Sequence, residues 1–306
     1  MSRLQKIDLS GGELSVSERR ETILQEAVAA LQRDGIVCLK RAIPRESVEK
    51  LNIKMQADLD AVETDRSRNP WDSLRPPPFD PYLYRQIVYN DVAADICIAW
   101  LGMEATLTTY AANTSWPDQS AKQNIHRDVP SAPIGPSSPG VVINIPLTTF
   151  TKENGATLIY PGTHELSFED AEGARGISPQ TLEEQSKNRP PVQTIDVDAG
   201  DLIIRDLRLW HGGMPNITRE RRIMLALVVI DPAYHEEDES VFKGFDAEQG
   251  SEAFWEHPKL KTAVSFVPQG DRTYYLQGGH SAPLTPLRKD WIARGKDKFI
   301  RDRYRT

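Results

Sequence analysis

The sequence predicts a mainly β core with flanking helices, and three observations carry that expectation. Short runs rich in β-branched and apolar residues dominate from Thr106 to Ile230. Turn signals separate them: Glu153-Asn154-Gly155, Pro161-Gly162, Ala199-Gly200-Asp201 and Met214-Pro215-Asn216. Ahead of Thr106, apolar side chains recur instead at helical spacing. Several short, punctuated strands suggest a sandwich or barrel.

Taken in order, residues 1–15 read as a loose arm. Ser17 can cap a helix running to about Arg33, with Ile23, Ala27 and Leu31 on one face. Gly35 ends it, and Ile36 to Leu39 reads as a short strand. A second helix begins near Pro44, a good first-turn residue, and carries Val48, Leu51, Met55 and Leu59. The segment Thr64 to Pro81 holds Pro70, Pro76, Pro77, Pro78 and Pro81, so extended backbone is expected there. A third helix spans Asp91 to Leu101 and stops at Gly102. The expected strands are Thr106 to Ala111, Val141 to Phe150, Thr157 to Tyr160, Val192 to Val197, Asp201 to Ile204 and Arg222 to Ile230. A helix-containing insertion is expected over residues 167–187. After Pro232 the chain turns acidic and loop-rich, with Phe254, Trp255, Tyr274, Tyr275 and Trp291 suited to folding back on the core. No repeat and no clear linker is visible. The expectation is one domain, 1–306, with a helical wrap (1–103), a β core (104–232) and a C-terminal extension (233–306).

The 39% hydrophobic content supplies a sizeable core. A formal net charge of −7 gives the chain no attractive field for nucleic acid or an anionic membrane, so neither is an expected partner. The basic clusters, Arg219 to Arg222 and the Arg301-to-Arg305 tail, read as solvated faces or strand ends, Arg222 excepted. Cys38 and Cys97 lie in apolar runs and read as buried free thiols, which suits a reducing compartment. Met1 to Arg19 lacks the apolar core of a signal peptide, and Ile223 to Ile230 is too short to span a bilayer. A cytoplasmic protein is the default expectation.

The stretch Gln123-Asn124-Ile125-His126-Arg127-Asp128 carries the chemistry. On a strand, side chains two apart share a face, so His126 and Asp128 could grip one ion. His211, in Trp210-His211-Gly212-Gly213, could complete the set. Two His and one carboxylate with open positions suit a non-haem Fe(II) oxygenase. With six histidines in the chain, one His-x-Asp match is weak by itself and, taken alone, reads better as a surface hydrogen-bonded pair than as a ligand pair. Its place at the edge of a β region, the Pro/Ser/Gly-rich loop 129–140 that could cover a site, and the apolar setting of His211 strengthen it. His164, after Pro161-Gly162-Thr163, reads as a turn stabiliser; His235, His257 and His280 read as exposed. A 2-oxoacid cosubstrate would need a buried partner for its far carboxylate, and Arg suits bidentate binding. Arg222 leads into the most apolar strand, where an unpaired cation is costly. Arg219 and Arg221 compete for the role.

Together these segments make the chain resemble the phytanoyl-CoA dioxygenase family of Fe(II)/2-oxoglutarate oxygenases, in the branch that tailors fungal natural products. The matching segments are Asn113-Thr114, Gln123-x-x-His126-x-Asp128, Asn154-Gly155-Ala156-Thr157, Pro161-Gly162-Thr163-His164, Gly200-Asp201, and Trp210-His211-Gly212 with Asn216 and Arg222. Asp34-Gly35-Ile36-Val37 resembles the family's opening. The resemblance implies a double-stranded β-helix (jelly-roll, cupin-like) core. It implies His126, Asp128 and His211 as iron ligands, and Arg222, Gln123, Thr157 and Asn144 around 2-oxoglutarate. O₂ is the second cosubstrate. Some members carry Ser where this chain has Gly213, so another donor must serve, and Arg66, Arg68 and Arg75 are candidates.

The implied substrate is a small hydrophobic metabolite, oxidised by hydroxylation, desaturation, epoxidation or rearrangement in secondary metabolism. No basic cradle for a nucleotide diphosphate is visible. Asn113, Trp116, the 129–140 loop and residues 233–245 are candidates for the substrate mouth by loop logic. A homodimer would let the C-terminal extension pack across an interface. Two alternatives share the scaffold: a redox-neutral metal-dependent isomerase or lyase, and a non-catalytic jelly-roll binding protein.

Overall fold

The computed structural model describes residues 4–10, 16–61, 76, 78–118, 120–129, 138–166, 176–232 and 244–267. Lys6–Asp8 forms a strand (β1) where a loose arm was expected. It runs parallel to β2 (Ile36–Lys40) and buries Ile7. Helix α1 (Val16–Asp34) starts one residue before the expected cap and buries Ile23, Ala27, Ala30 and Leu31 as one stripe. Helix α2 (Arg45–Ala61) follows Pro44, and its four expected apolar positions are all buried. A one-turn helix, α3 (Arg85–Val88), was not expected. Helix α4 (Asp91–Leu101) is capped by Asn90, whose side chain accepts from the Ala93 N–H at 3.0 Å, and ends at Gly102.

The remaining strands are β3 (Thr106–Ser115), β4 (Gly140–Pro146) and β5 (Thr157–Ile159), then helix α5 (Pro179–Asn188), then β6 (Val192–Gln193), β7 (Leu202–Asp206), β8 (His211–Gly213) and β9 (Arg222–Ile230). Strand β4 ends at Pro146, short of Phe150. The stretch expected as a strand to Val197 breaks after Gln193, where Asp196 adopts a left-handed φ of 56°. Three C-terminal strands follow: β10 (Phe245–Glu248), β11 (Lys261–Thr262) and β12 (Val264–Val267).

Two sheets result. The larger has the order β1-β2-β7-β4-β9-β3-β11, and the smaller β6-β5-β8. Strand alternation divides the large sheet's side chains between two environments. Val37, Leu39, Val141, Ile143, Ile145, Leu202, Ile204, Leu225, Leu227 and Val229 share one buried cluster with the apolar stripes of α1, α2 and α4. Ile36, Cys38, Ile203 and Met224 point the other way, onto Phe150, Ala156, Ile159, Val197 and Leu209. A sheet covered on both faces explains why β9 reads as a continuous apolar run. This is the jelly-roll arrangement, with helices packed on the outside of the large sheet. Cys38 and Cys97 are buried free thiols, and burial pushes each up to about 12.

The C-terminal segment folds back on the outer cluster through Trp255 and Leu260. Tyr89 donates to the Trp255 carbonyl at 3.0 Å. His257 corrects an expectation: its ring is buried and stacks on Tyr89 at 5.2 Å, because the fold-back covers it. His235, His280, Tyr274, Tyr275 and Trp291 lie outside the described residues. His164 is buried in a 3₁₀ turn at residues 163–165. No described helix is long and apolar enough to cross a membrane.

The Gly200-Asp201 motif acquires a structural reason. Asp201 is 1% exposed and accepts from Lys40 Nζ at 2.5 Å, from the Arg41 N–H at 2.8 Å and from the Asp198 N–H at 2.6 Å. It ties the end of β2 to the entry of β7. Asp201→Ala leaves Lys40 paired with Asp198 but takes the side-chain acceptor from the Arg41 and Asp198 N–H groups, so urea denaturation should show a loss of about 1–3 kcal/mol.

Candidate metal centre

The site starts from one pair of backbone hydrogen bonds. His126 N–H donates to the His211 carbonyl at 2.9 Å, and His211 N–H donates to the His126 carbonyl at 2.9 Å. Residues paired in this way present their side chains on the same face, and the two rings sit 4.3 Å apart. The Gln123 N–H extends the pairing to the Gly213 carbonyl at 2.8 Å. Gly212 has to be glycine here. A Cβ would lie 2.9 Å from Ile125 Cδ1 and 3.0 Å from the Gln123 carbonyl, closing the gap across which the pairing forms.

Asp128 follows two residues later, its N–H fixed on the Leu207 carbonyl at 2.9 Å. Its Oδ1 lies 3.7 Å from His126 Nε2 and 3.6 Å from His211 Nε2. The ligand atoms of all three residues lie within 4.8 Å of one another. Each imidazole has a backbone acceptor for its other nitrogen: Asn124 O lies 2.8 Å from His126 Nδ1, and Leu209 O lies 3.0 Å from His211 Nδ1. Protons at Nδ1 leave both Nε2 lone pairs free for a metal. Burial, aided by the nearby Arg205 charge, keeps the His211 pKa well below its ordinary value, so the ring is neutral. Burial would raise the Asp128 pKa. The charge of Arg205, with its hydrogen bond, outweighs it and carries the carboxyl well below the usual range. Two imidazoles with their Nε2 atoms turned inward and one carboxylate are what a divalent ion requires of such residues.

Arg205 was not singled out from sequence. It projects from β7, and its Nη2 meets Asp128 Oδ2 at 2.8 Å. The signal was present: in Leu202-Ile203-Ile204-Arg205, alternation puts Arg205 on the face of Ile203, inside the roll.

Arg222 opens β9 on the inner face. It is 3% exposed, lies 4.8 Å over the Phe150 ring, and donates to the Gly155 carbonyl at 2.6 Å and the Asn154 carbonyl at 3.4 Å. No carboxylate pairs with it among the described residues, and its buried Nη1 has no partner there. Burial lowers its pKa to about 10. Ser115, directly opposite Arg222 in the β3–β9 register, also has a buried hydroxyl without a partner. Two unsatisfied buried donors on adjacent strands, one cationic, suit an anion. Gly155 permits this crowding: with φ at 82°, it takes a turn in which any Cβ would collide with the Ser115 hydroxyl.

The other expected residues divide. Gln123 Oε1 accepts from the Gly213 N–H at 3.0 Å, so its amide presents NH₂ as its donor end. Thr157 pairs with Gly213 and shares the face of Ile159, toward the interior. Asn144 is engaged at both ends of its amide: Oδ1 accepts from Arg205 Nε at 3.3 Å, and Nδ2 donates to the Leu225 carbonyl at 3.3 Å. Its part is to hold Arg205. Asn113 is exposed on β3, two residues from Ser115 on the same face. Trp116 turns away, buried in the outer cluster beneath the Arg221 guanidinium, and the structure does not bring it to the site. Arg221 itself pairs with Asp60. Arg66, Arg68, Arg75 and residues 130–137 and 233–243 lie outside the described residues.

The family profile for phytanoyl-CoA dioxygenase (PhyH) matches residues 31–224, a span holding β2 to the start of β9 and every residue just placed at the site. The chain belongs to this family. Among curated relatives, it is 30% identical over 155 residues to the dioxygenase af480 of Aspergillus fumigatus, covering 49% of this chain and 45% of that protein. It is 26% identical over 223 residues to the iron/alpha-ketoglutarate-dependent dioxygenase ausO of Aspergillus calidoustus, covering 65% of this chain and 70% of the relative. Among solved structures, the non-heme alpha-ketoglutarate-dependent carbocyclase SnoK from nogalamycin biosynthesis superposes with a TM-score of 0.54 at 19% identity, over 72% of this chain and 87% of SnoK. That likeness establishes the shared jelly-roll fold. Within the matched stretch lie His126, Asp128 and His211, the group among the described residues that could hold a metal ion.

Asp128→Ala should remove a ligand while leaving the 126–211 backbone pairing intact. Mn(II) affinity, followed by calorimetry, should fall by more than the roughly 10–100-fold that losing an outer partner costs. Unchanged affinity would place the ion elsewhere.

Proposed function

We propose that this protein is an Fe(II)/2-oxoglutarate-dependent dioxygenase acting on an aliphatic C–H bond of a small hydrophobic metabolite in secondary metabolism. The observation that carries the reading is the unsatisfied Arg222 guanidinium inside the same roll as the three ligand atoms. A redox-neutral metal enzyme has no need of a cosubstrate arginine. His126, Asp128 and His211 would hold the ion. Arg222 and the Ser115 hydroxyl would grip the far carboxylate of 2-oxoglutarate, Ser115 serving in place of the hydroxyl missing at Gly213. Gln123 and Thr157 would line the same pocket. When bound, iron and 2-oxoglutarate supply the oxidative decarboxylation that activates O₂ toward a C–H bond.

The substrate class follows from the floor of the cavity. Ala226 and Val228 lie on the inner face of β9, which is flanked by β4 and β3, yet neither is fully buried. Their inner-face neighbours on β3, Thr109 and Ala111, are also partly open, and Asn113 is exposed. Small, mostly apolar and partly exposed side chains on this face, with Ala226 and Val228 resting on Val129, Val142 and Leu207, would suit a hydrophobic body, with one amide at its edge. The chain's part in catalysis is to hold the target carbon beside the ion and to exclude competing reactions. Relatives named as fungal dioxygenases and a structural neighbour from nogalamycin biosynthesis support the metabolic setting.

Succinate formation in the Fe(II)-loaded protein tests the reading. It should require 2-oxoglutarate and O₂ and rise when the right member of a terpenoid, alkaloid and polyketide panel is added. A fully loaded protein that forms no succinate, coupled or uncoupled, would contradict it.

Two substitutions separate the carboxylate contacts. Arg222→Lys replaces a fork with a point charge and should raise the 2-oxoglutarate Kd about 10–100-fold, as expected for charge-assisted hydrogen bonds. Ser115→Ala should raise it about 2–10-fold, the range for one neutral hydrogen bond. Equilibrium binding to the Mn(II) protein without O₂ reads both.

A further inference from the structure

We infer that Arg205 is a positioning residue that occupies the outer oxygen of Asp128, so that the aspartate offers a metal one oxygen only. The inference rests on the Fe(II)/2-oxoglutarate reading and deepens it. Arg205 has 7% of its side chain exposed, and its guanidinium is held on several sides. Nη2 meets Asp128 Oδ2 at 2.8 Å. Nε donates to Asn144 Oδ1 at 3.3 Å, and Asn144 is itself anchored by donating to the Leu225 carbonyl at 3.3 Å. Nη1 packs 3.3 Å from His211 Nδ1, whose proton is directed to Leu209 O. A chain of contacts therefore runs from the β9 backbone through Asn144 and Arg205 to a single carboxylate oxygen.

The consequence is geometric. Oδ1 is the oxygen that faces both Nε2 atoms, at 3.7 and 3.6 Å, while Oδ2 is committed to the guanidinium. An octahedral ion holding two imidazoles and one aspartyl oxygen keeps one triangular face open. A two-atom chelator such as 2-oxoglutarate fills two corners of that face and leaves one. A carboxylate is able to bind through both oxygens, and a second aspartyl oxygen would take one of those corners. Arg205 reserves it.

Metal retention alone does not account for this residue. A guanidinium beside a dication repels it and partly neutralises its anionic ligand, so Arg205 weakens metal binding by its charge. Its benefit has to lie in what binds next. This gives a crossed prediction that a purely structural residue would not produce.

The test uses the full chain without O₂, titrated first with Mn(II) and then, when saturated, with 2-oxoglutarate. Arg205→Met removes a positive charge from beside the ion, which sets it apart from an outer partner that supports a ligand, and should bind Mn(II) at least as tightly as the wild type and 2-oxoglutarate at least about tenfold more weakly. Arg205→Lys retains a cation able to engage Oδ2 and should restore most of the cosubstrate affinity. Asn144→Ala keeps the guanidinium but loosens its hold, and should shift cosubstrate affinity in the same direction by less; it carries the test should Arg205→Met fail to fold. Both affinities unchanged in Arg205→Met, or both weakened together, would overturn the inference. A wild-type protein that binds neither Mn(II) nor 2-oxoglutarate would instead overturn the underlying functional reading.

Discussion

The reciprocal pair of backbone hydrogen bonds between His126 and His211 is the constraint from which the centre is built. It joins a segment without regular structure of its own to the edge of the small sheet, across 85 positions of sequence. Direct opposition forces two imidazoles onto one face, and strand periodicity brings Asp128 to the same ion. A ligand set held by main-chain geometry does not need the metal to assemble it, which lowers the ordering cost at the moment of binding. Asp128 is tied in the same way, through its N–H on Leu207, to the large sheet. The centre therefore bridges the two sheets, and anything that slides one against the other would spread the ligands.

Charge is arranged around that geometry with unusual density for a buried interior. Two guanidiniums enter the roll from neighbouring regions of the large sheet, and their circumstances differ. Arg205 has a carboxylate partner. Arg222 has carbonyl oxygens and an aromatic face but no anion among the described residues, a costly arrangement for a buried cation. The cost is intelligible where a ligand completes the pair: stability given up in the empty protein reappears as affinity for a carboxylate. The neutral state of His211, enforced by burial and by the adjacent cation, belongs to the same arrangement, since a protonated ring could not bind a metal.

Much of this was legible in the sequence, for identifiable reasons. The three candidate ligands and Arg222 stood out because polar residues in apolar or strand-edge settings demand an explanation. The helices at Asp91–Leu101 and Arg45–Ala61 and the strand Arg222–Ile230 carry strong periodicity or sharp terminators, and they formed where expected. What escaped notice was short or depended on tertiary pairing. Strand β1 has three residues, and β8 is recognisable as a strand only because residues 123–126 lie against it. His257 looked exposed in a polar stretch, but the fold-back of Trp255 and Leu260 covers it. Arg205 was missed because the apolar run appeared to end at Ile204, whereas its alternation continues one residue further into the roll. Asn144 showed its purpose only once Arg205 was in place, since a single buried amide in a strand has no preferred partner in sequence.

The most direct test of the central claim is a crystal structure of the protein with Mn(II) and 2-oxoglutarate, grown without O₂. The account requires one ion bound by His126 Nε2, His211 Nε2 and a single oxygen of Asp128, with the far carboxylate of 2-oxoglutarate against Arg222 Nη1. An ion bound elsewhere, or a cosubstrate whose carboxylate ignores Arg222, would contradict it.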